Sequence, residues 1–166
     1  MAAELKPISK ESIPGALDKA ERYRLLNEPF CAESIALDVI AIEPDHQRAL
    51  VIYVLSVADG FSTGAENAQR AKAAIERITD AHDRLYYAGI VAERRATAIL
   101  ERGGFGAGAA AWHHIHEAMD LYLKADPLQK DAKNDDAVLR YNTCVRLIAA
   151  HQLTEPARDD HNHAHD

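Results

Sequence analysis

Cysteine is scarce in this chain: Cys31 and Cys144 are the only two in 166 residues. They fall in separate stretches of helical pattern, so neither a disulfide framework nor a CxxC site is available, and both thiols are expected to be buried and reduced. Aromatic residues make up 6%, and 8 glycines and 6 prolines stand against 31 alanines. That balance excludes a collagenous or low-complexity chain and favours helix, because alanine loses no side-chain entropy in a helix. No run approaches the ~20 uninterrupted apolar residues of a membrane span, and Met1 to Lys10 has no apolar core of signal-peptide length. A cytoplasmic protein without a membrane partner is therefore expected. Positive charge is in deficit, with 19 Lys and Arg against 26 Asp and Glu and a formal net charge of -7. Nucleic acid is accordingly not expected as a partner, since nothing here attracts a phosphate backbone irrespective of sequence. A chain this long buries roughly two-thirds of its unfolded surface, so it needs no metal merely to fold.

The apolar residues that are present recur at helical spacing, and the pattern predicts an all-α domain of about seven helices over residues 13–152. An extension, 1–12, precedes it, and an acidic, histidine-containing tail, 153–166, expected to be disordered, follows. Ser12 is placed to cap a first helix carrying Leu17, Ala20, Tyr23 and Leu25, which ends near Asn27. Ala32, Ile35, Ala36, Val39 and Ile40 mark a second helix that stops before Pro44. Asp45 is expected to cap a third, with Leu50, Val51, Val54, Leu55 and Ala58 on its stripe. Thr63 to Glu66 reads as a capping box opening a fourth helix towards Ile78. The fifth, 82–102, begins at Thr79 or Asp80 and carries Leu85, Ala88, Gly89, Ala92, Ala96 and Ile99 on one face, leaving Glu93, Arg94, Arg95 and Glu101 largely on others. Glycines 103, 104, 106 and 108 break it. A sixth helix then turns Trp112, Ile115, Ala118, Met119 and Tyr122 inward, and a seventh spans about 134–151.

Ala20, Val54 and Gly89 occupy equivalent places in the first, third and fifth helices, at intervals of 34 and 35 residues. A fixed period of that size signals stacked helical hairpins. With Ala32, Ala36, Val39, Ile40 and Pro44 in the second helix, and Ala118, Tyr122 and Ala125 at matching spacing in the sixth, the chain resembles the tetratricopeptide repeat family over about residues 13–148, as three degenerate repeats and a capping helix. Small residues let paired helices cross closely and a larger one fills the gap beside them. The second hairpin departs from the pattern at Val54 and in an added turn at Phe61 to Gly64. The third departs more, since Gly89 and Ala118 are 29 residues apart where Ala20 and Ala32 are 12 apart. An open superhelix and a compact bundle both remain compatible with that insertion.

The resemblance implies a non-catalytic scaffold whose inner, concave surface binds a peptide or protein, with room for a homodimer. It places Arg24, Arg48, Val51, Leu55, Asp83, Tyr86, Ile90, Glu93 and Arg94 on that surface. Tyr86 and Arg94 are the preferred anchors, an aromatic surface and a carboxylate-binding fork. The competing interpretation is a solvated face of Glu-Arg pairs. The Lys and Asn pattern with which some members hold a terminal carboxylate is missing, its places being taken by Leu17, Val51 and Tyr86.

Read from the residues alone, His113, His116, Glu117 and Asp120 share one polar sector of the sixth helix, a stripe whose donors suit Zn²⁺ or another divalent transition metal. A metal- or small-molecule-binding sensor is thus the alternative to a scaffold that needs no cofactor. The stripe lacks the HExxH order, and histidines beside a tryptophan more often border a core. His161, His163 and His165 alternate in the tail, where flexible imidazoles hold metals only loosely. The glycine run follows a helix rather than a strand and ends in no Lys-Ser or Lys-Thr pair, so it is expected to be a hairpin loop and not a phosphate cradle. No GxSxG, cysteine-histidine pairing or paired-carboxylate motif is present, and no catalytic residue is assigned.

Overall fold

A single 3-10 turn, Lys10–Ser12, leads into the first helix. Here the Ser12 hydroxyl donates back to the Ser9 carbonyl at 2.8 Å instead of accepting from the helix it precedes. The computed structural model describes residues 3–61 and 67–157. Among these residues the chain is all-α, with seven α-helices: α1 Ile13–Leu25, α2 Pro29–Ile42, α3 Gln47–Asp59, α4 Asn67–Ile75, α5 Ala81–Arg102, α6 Ala107–Ala125 and α7 Asp136–Ala150. Local chemistry sets the ends. Prolines 14 and 29 sit in opening turns, where the missing N–H costs nothing. His46, not Asp45, caps α3, its Nδ1 accepting from the Ala49 N–H at 3.3 Å. Asp45 lies one residue too early for that bond and instead meets Arg77 at 3.3 Å. Asp80 caps α5 through the Asp83 N–H at 3.1 Å. The positive φ of Gly103 (66°) stops α5, where the glycine run was expected to break it. The expected capping box at 63–66 and the tail histidines 161, 163 and 165 lie outside the described residues.

Consecutive helices pack against one another throughout, and α1 also contacts α3, α3 contacts α5, and α5 contacts α7. The odd-numbered helices thus form one layer and α2, α4 and α6 pack onto it from the other side. The core follows this order in three successive clusters. Leu17, Ala20, Ala36, Val39 and Ile52 join α1, α2 and α3. Leu50, Val54, Val57, Ala74 and Ile78 join α3 and α4, reaching α5 at Ala98. Ile90, Ala96, Ile115, Ala118, Tyr122 and Cys144 join α5, α6 and α7. Each cluster borrows a helix from the one before, and α3 touches all three, through Ile52, Leu50 and Leu55, so the stack is continuous.

The closest crossing is between α5 and α6. A Cβ on Gly89 would lie 2.5 Å from the Tyr122 ring, so only glycine lets this ring lie across the α5 backbone. The seventh helix begins at Asp136 rather than Asn134, because Asn134 turns its side-chain oxygen to the Asp136 N–H at 2.9 Å. Leu153, at the start of the expected tail, packs with the third cluster, and a Cβ added at Gly108 would lie 3.8 Å from its Cδ2. Cys144 is fully buried and Cys31 only half-buried, and both are free thiols. No described helix is long and apolar enough to cross a membrane.

Candidate functional site on the odd-helix layer

Five of the nine residues expected on the inner surface, Arg24, Arg48, Val51, Leu55 and Asp83, line one cavity of about 380 Å³ between α1, α3 and α5. Its floor is apolar, formed by Val51, Ile52, Leu55 and Ile78. Val51 and Leu55 stand one turn apart on α3 and face the cavity, while Leu50, Val54 and Val57 of the same helix serve the core. The rim is charged. Arg48 reaches across from α3 to α1, with Nη2 at 2.7 Å from Asp18 and 2.8 Å from Glu21. Arg24 Nη2 bonds Asp59 at 2.9 Å, and Arg94 approaches the other Asp59 oxygen at 3.8 Å. Asp59 therefore ties α1 and α5 together through α3. The Arg48 pairs are substantially exposed, so they fix the fork's direction more than they stabilise the fold.

Tyr86 lies next door, in a more polar cavity of about 280 Å³ at the N-terminus of α5, roofed by the segment that joins α6 to α7. Asp83 and Tyr87 line both cavities, so the two lie side by side along α5. Burial, with Asp83 beside it, pushes the Tyr87 phenol up to about 12, and burial also raises Tyr86. The Tyr86 ring stacks on buried His82 at 5.7 Å between centroids, while His82 Nδ1 lies 3.0 Å from Asp83. Lys130 bonds Asp80 at 2.8 Å and, with the Asp83 N–H, holds that carboxyl below its usual range.

Ile90 and Glu93 are not on this surface, which corrects the expectation for both. Ile90 belongs to the third core cluster. Glu93 is 5% exposed, with one oxygen accepting from the Tyr122 hydroxyl at 2.7 Å and the other from Arg140 Nη1 at 3.0 Å. The cause is α7, which folds back over α5 and delivers Arg140 to a position that a lone helix would leave in solvent. This triad spans α5, α6 and α7, and burial together with the Glu93 charge raises the Tyr122 phenol strongly.

The donors of the α6 histidine stripe do not come together as a group of three, and two of its members are engaged by near neighbours. His116 donates from Nδ1 to the Trp112 carbonyl at 2.9 Å and stacks on the Trp112 ring at 3.8 Å. Glu117 turns to His114 at 3.2 Å, and His113 and Asp120 are exposed. Among the described residues, Asp80, His82 and Asp83 are the one group of three or more such donors whose ligand atoms all lie within 4.8 Å of one another. Asp80 is already committed to Lys130 and to capping α5, and the positive end of a helix disfavours a cation there.

Tyr87, Glu21, His82 and Lys130 were not singled out by sequence. Only the adjacency of Tyr87 to Tyr86 hinted at it, since neighbouring residues on a helix point about 100° apart and the crossing of α3 and α5 decides which of them reaches a cavity. No known protein family, curated protein or solved structure matches this chain.

Proposed function

We propose that this chain is a non-catalytic, tetratricopeptide-like interaction scaffold of the cytoplasm that binds an extended peptide segment of a partner protein along its odd-helix layer. The observation that carries this reading is the cavity between α1, α3 and α5, with an apolar floor and a rim of both charge signs. Its volume suits one or two side chains, at the lower end of the roughly 300–1,000 Å³ typical of small-molecule pockets. An apolar anchor of the peptide enters between Val51 and Leu55, and its flanking groups meet Arg24 and Arg48 on one side and Asp83 on the other. The serial packing of α1, α3, α5 and α7 supports the same reading, because a stack of hairpins presents its first helices as a common face.

The test is affinity capture from native extract followed by calorimetry with peptides of the captured protein. The variant is Val51→Ala plus Leu55→Ala, with a thermal melt to verify folding. Binding is expected to weaken at least about tenfold, the effect of losing roughly 1.4 kcal/mol of anchor contact. Unchanged affinity for every captured partner in a folded double variant overturns the proposal.

A further inference from the structure

Among the described residues, no helix packs on the outer face of α7. Val138, Leu139 and Val145 are 40%, 59% and 46% exposed, and Leu123 of α6 beside them is 57% exposed. Asp135, Asn142, Arg146 and Ala149 are exposed as well. Positions 135, 138, 142, 145 and 149 follow the alternating three- and four-residue spacing of a helix-pairing seam, with Leu139 and Arg146 flanking it. At about 100° per residue, these residues all fall within about 60° on either side of Asn142. Residues 154–166, TEPARDDHNHAHD, carry no large apolar side chain.

We propose that this face is the contact between two copies of the chain, with α7 pairing antiparallel to its counterpart about a twofold axis at Asn142. The seam is self-complementary in that arrangement. Val138 meets Val145 of the second copy, and the aliphatic stem of Arg146 lies on Leu139. The guanidinium of Arg146 reaches towards Asp135 at the acidic start of the opposing helix, and Asn142 faces its own copy, where a paired amide fixes register. Parallel pairing instead stacks Asp135 and Asp136 on their own copies and sets two helix N-termini side by side, which like charge opposes. One helix pair gives a contact at the small end of specific interfaces, so the dimer is weak and concentration-dependent. None of the seam residues lines the cavity between α1, α3 and α5, so the dimer leaves that cavity free.

Sedimentation velocity over protein concentrations from about 1 µM to about 1 mM reads the equilibrium, the range in which weak complexes dissociate. Wild type is expected to shift from monomer to dimer. Val138→Glu and Val145→Lys each abolish the shift, and because both sites are solvent-facing the melting temperature stays near wild type. The two substitutions together restore the dimer, since antiparallel pairing sets the new acid against the new base of the other copy, whereas parallel pairing sets like against like. A wild type that remains monomeric throughout, a dimer that survives Val145→Lys, or a double variant that stays monomeric overturns the proposal.

Discussion

Replacing Gly89 by alanine sets two opposed effects against each other at one atom. Glycine within a helix is worth about 0.8–1.0 kcal/mol less than alanine, so on propensity alone Gly89→Ala stabilises α5. The added methyl, however, falls 2.5 Å from Cε1 and 2.8 Å from Cδ1 of Tyr122. That ring has little freedom to withdraw, because it is fully buried and its hydroxyl is held by Glu93 at 2.7 Å. Overpacking of this kind costs about 1–3 kcal/mol, and a ring tethered at its far end belongs near the top of that range. The net expectation is a loss of about 1–2 kcal/mol, read as a fall in melting temperature of about 3–6 °C for a domain of this size. Urea denaturation followed by circular dichroism supplies the free energy. The decisive control is the same substitution in a Tyr122→Leu background, where the ring is gone and Gly89→Ala should become neutral or stabilising by up to about 1 kcal/mol. A substitution that stabilises both backgrounds equally refutes the close-crossing argument.

Arg140→Ala leaves the Glu93 carboxylate buried with only the Tyr122 hydroxyl for company, and it should cost about 2–4 kcal/mol in urea denaturation. Replacing Glu93 by Gln in the same protein should recover part of that loss, because a neutral amide needs no counter-charge. Alkali should unfold the protein before it harms the helices themselves. Burial pushes the Cys144 thiol up to about 12, and the Tyr87 phenol also reaches about 12. In the unfolded chain these groups titrate near about 8.5 and 10. Their contribution is therefore complete below about pH 8.5 and is lost as pH rises towards the folded values. Thermal melts from pH 7 to 11 check this, and a melting temperature that is flat across that range contradicts the sign.

Much of the fold was legible because helix periodicity is written over a few neighbouring residues. The small residues Ala20, Ala36, Ala118 and Gly89 stand at helix crossings, as the spacing predicted, and all are buried. Val51, Leu55, Arg24, Arg48 and Asp83 meet at one cavity. Helix-capping rules erred at Ser12, whose hydroxyl turned back to Ser9, and at Asp45, which lies one residue before the cap and meets Arg77 from across the fold. Along α6 the helical spacing put His113, His116, Glu117 and Asp120 in one polar sector. The donors of His116 and Glu117 were already spoken for by Trp112 and His114, because hydrogen bonds to near neighbours form before any ligand arrives.

The amino-acid sequence by itself determined that this chain is helical, where most of its helices lie, and which stripe of each is apolar, since all of these depend on contacts within a turn or two. Only the tertiary structure decided that Glu93 is buried and that Asp83 and Tyr87 line two neighbouring cavities. Glu93 and Arg140 are 47 residues apart, and nothing in the pattern around either residue encodes the angle at which α7 crosses α5. That angle is set by how whole helix surfaces interlock, a property of many side chains packed at once.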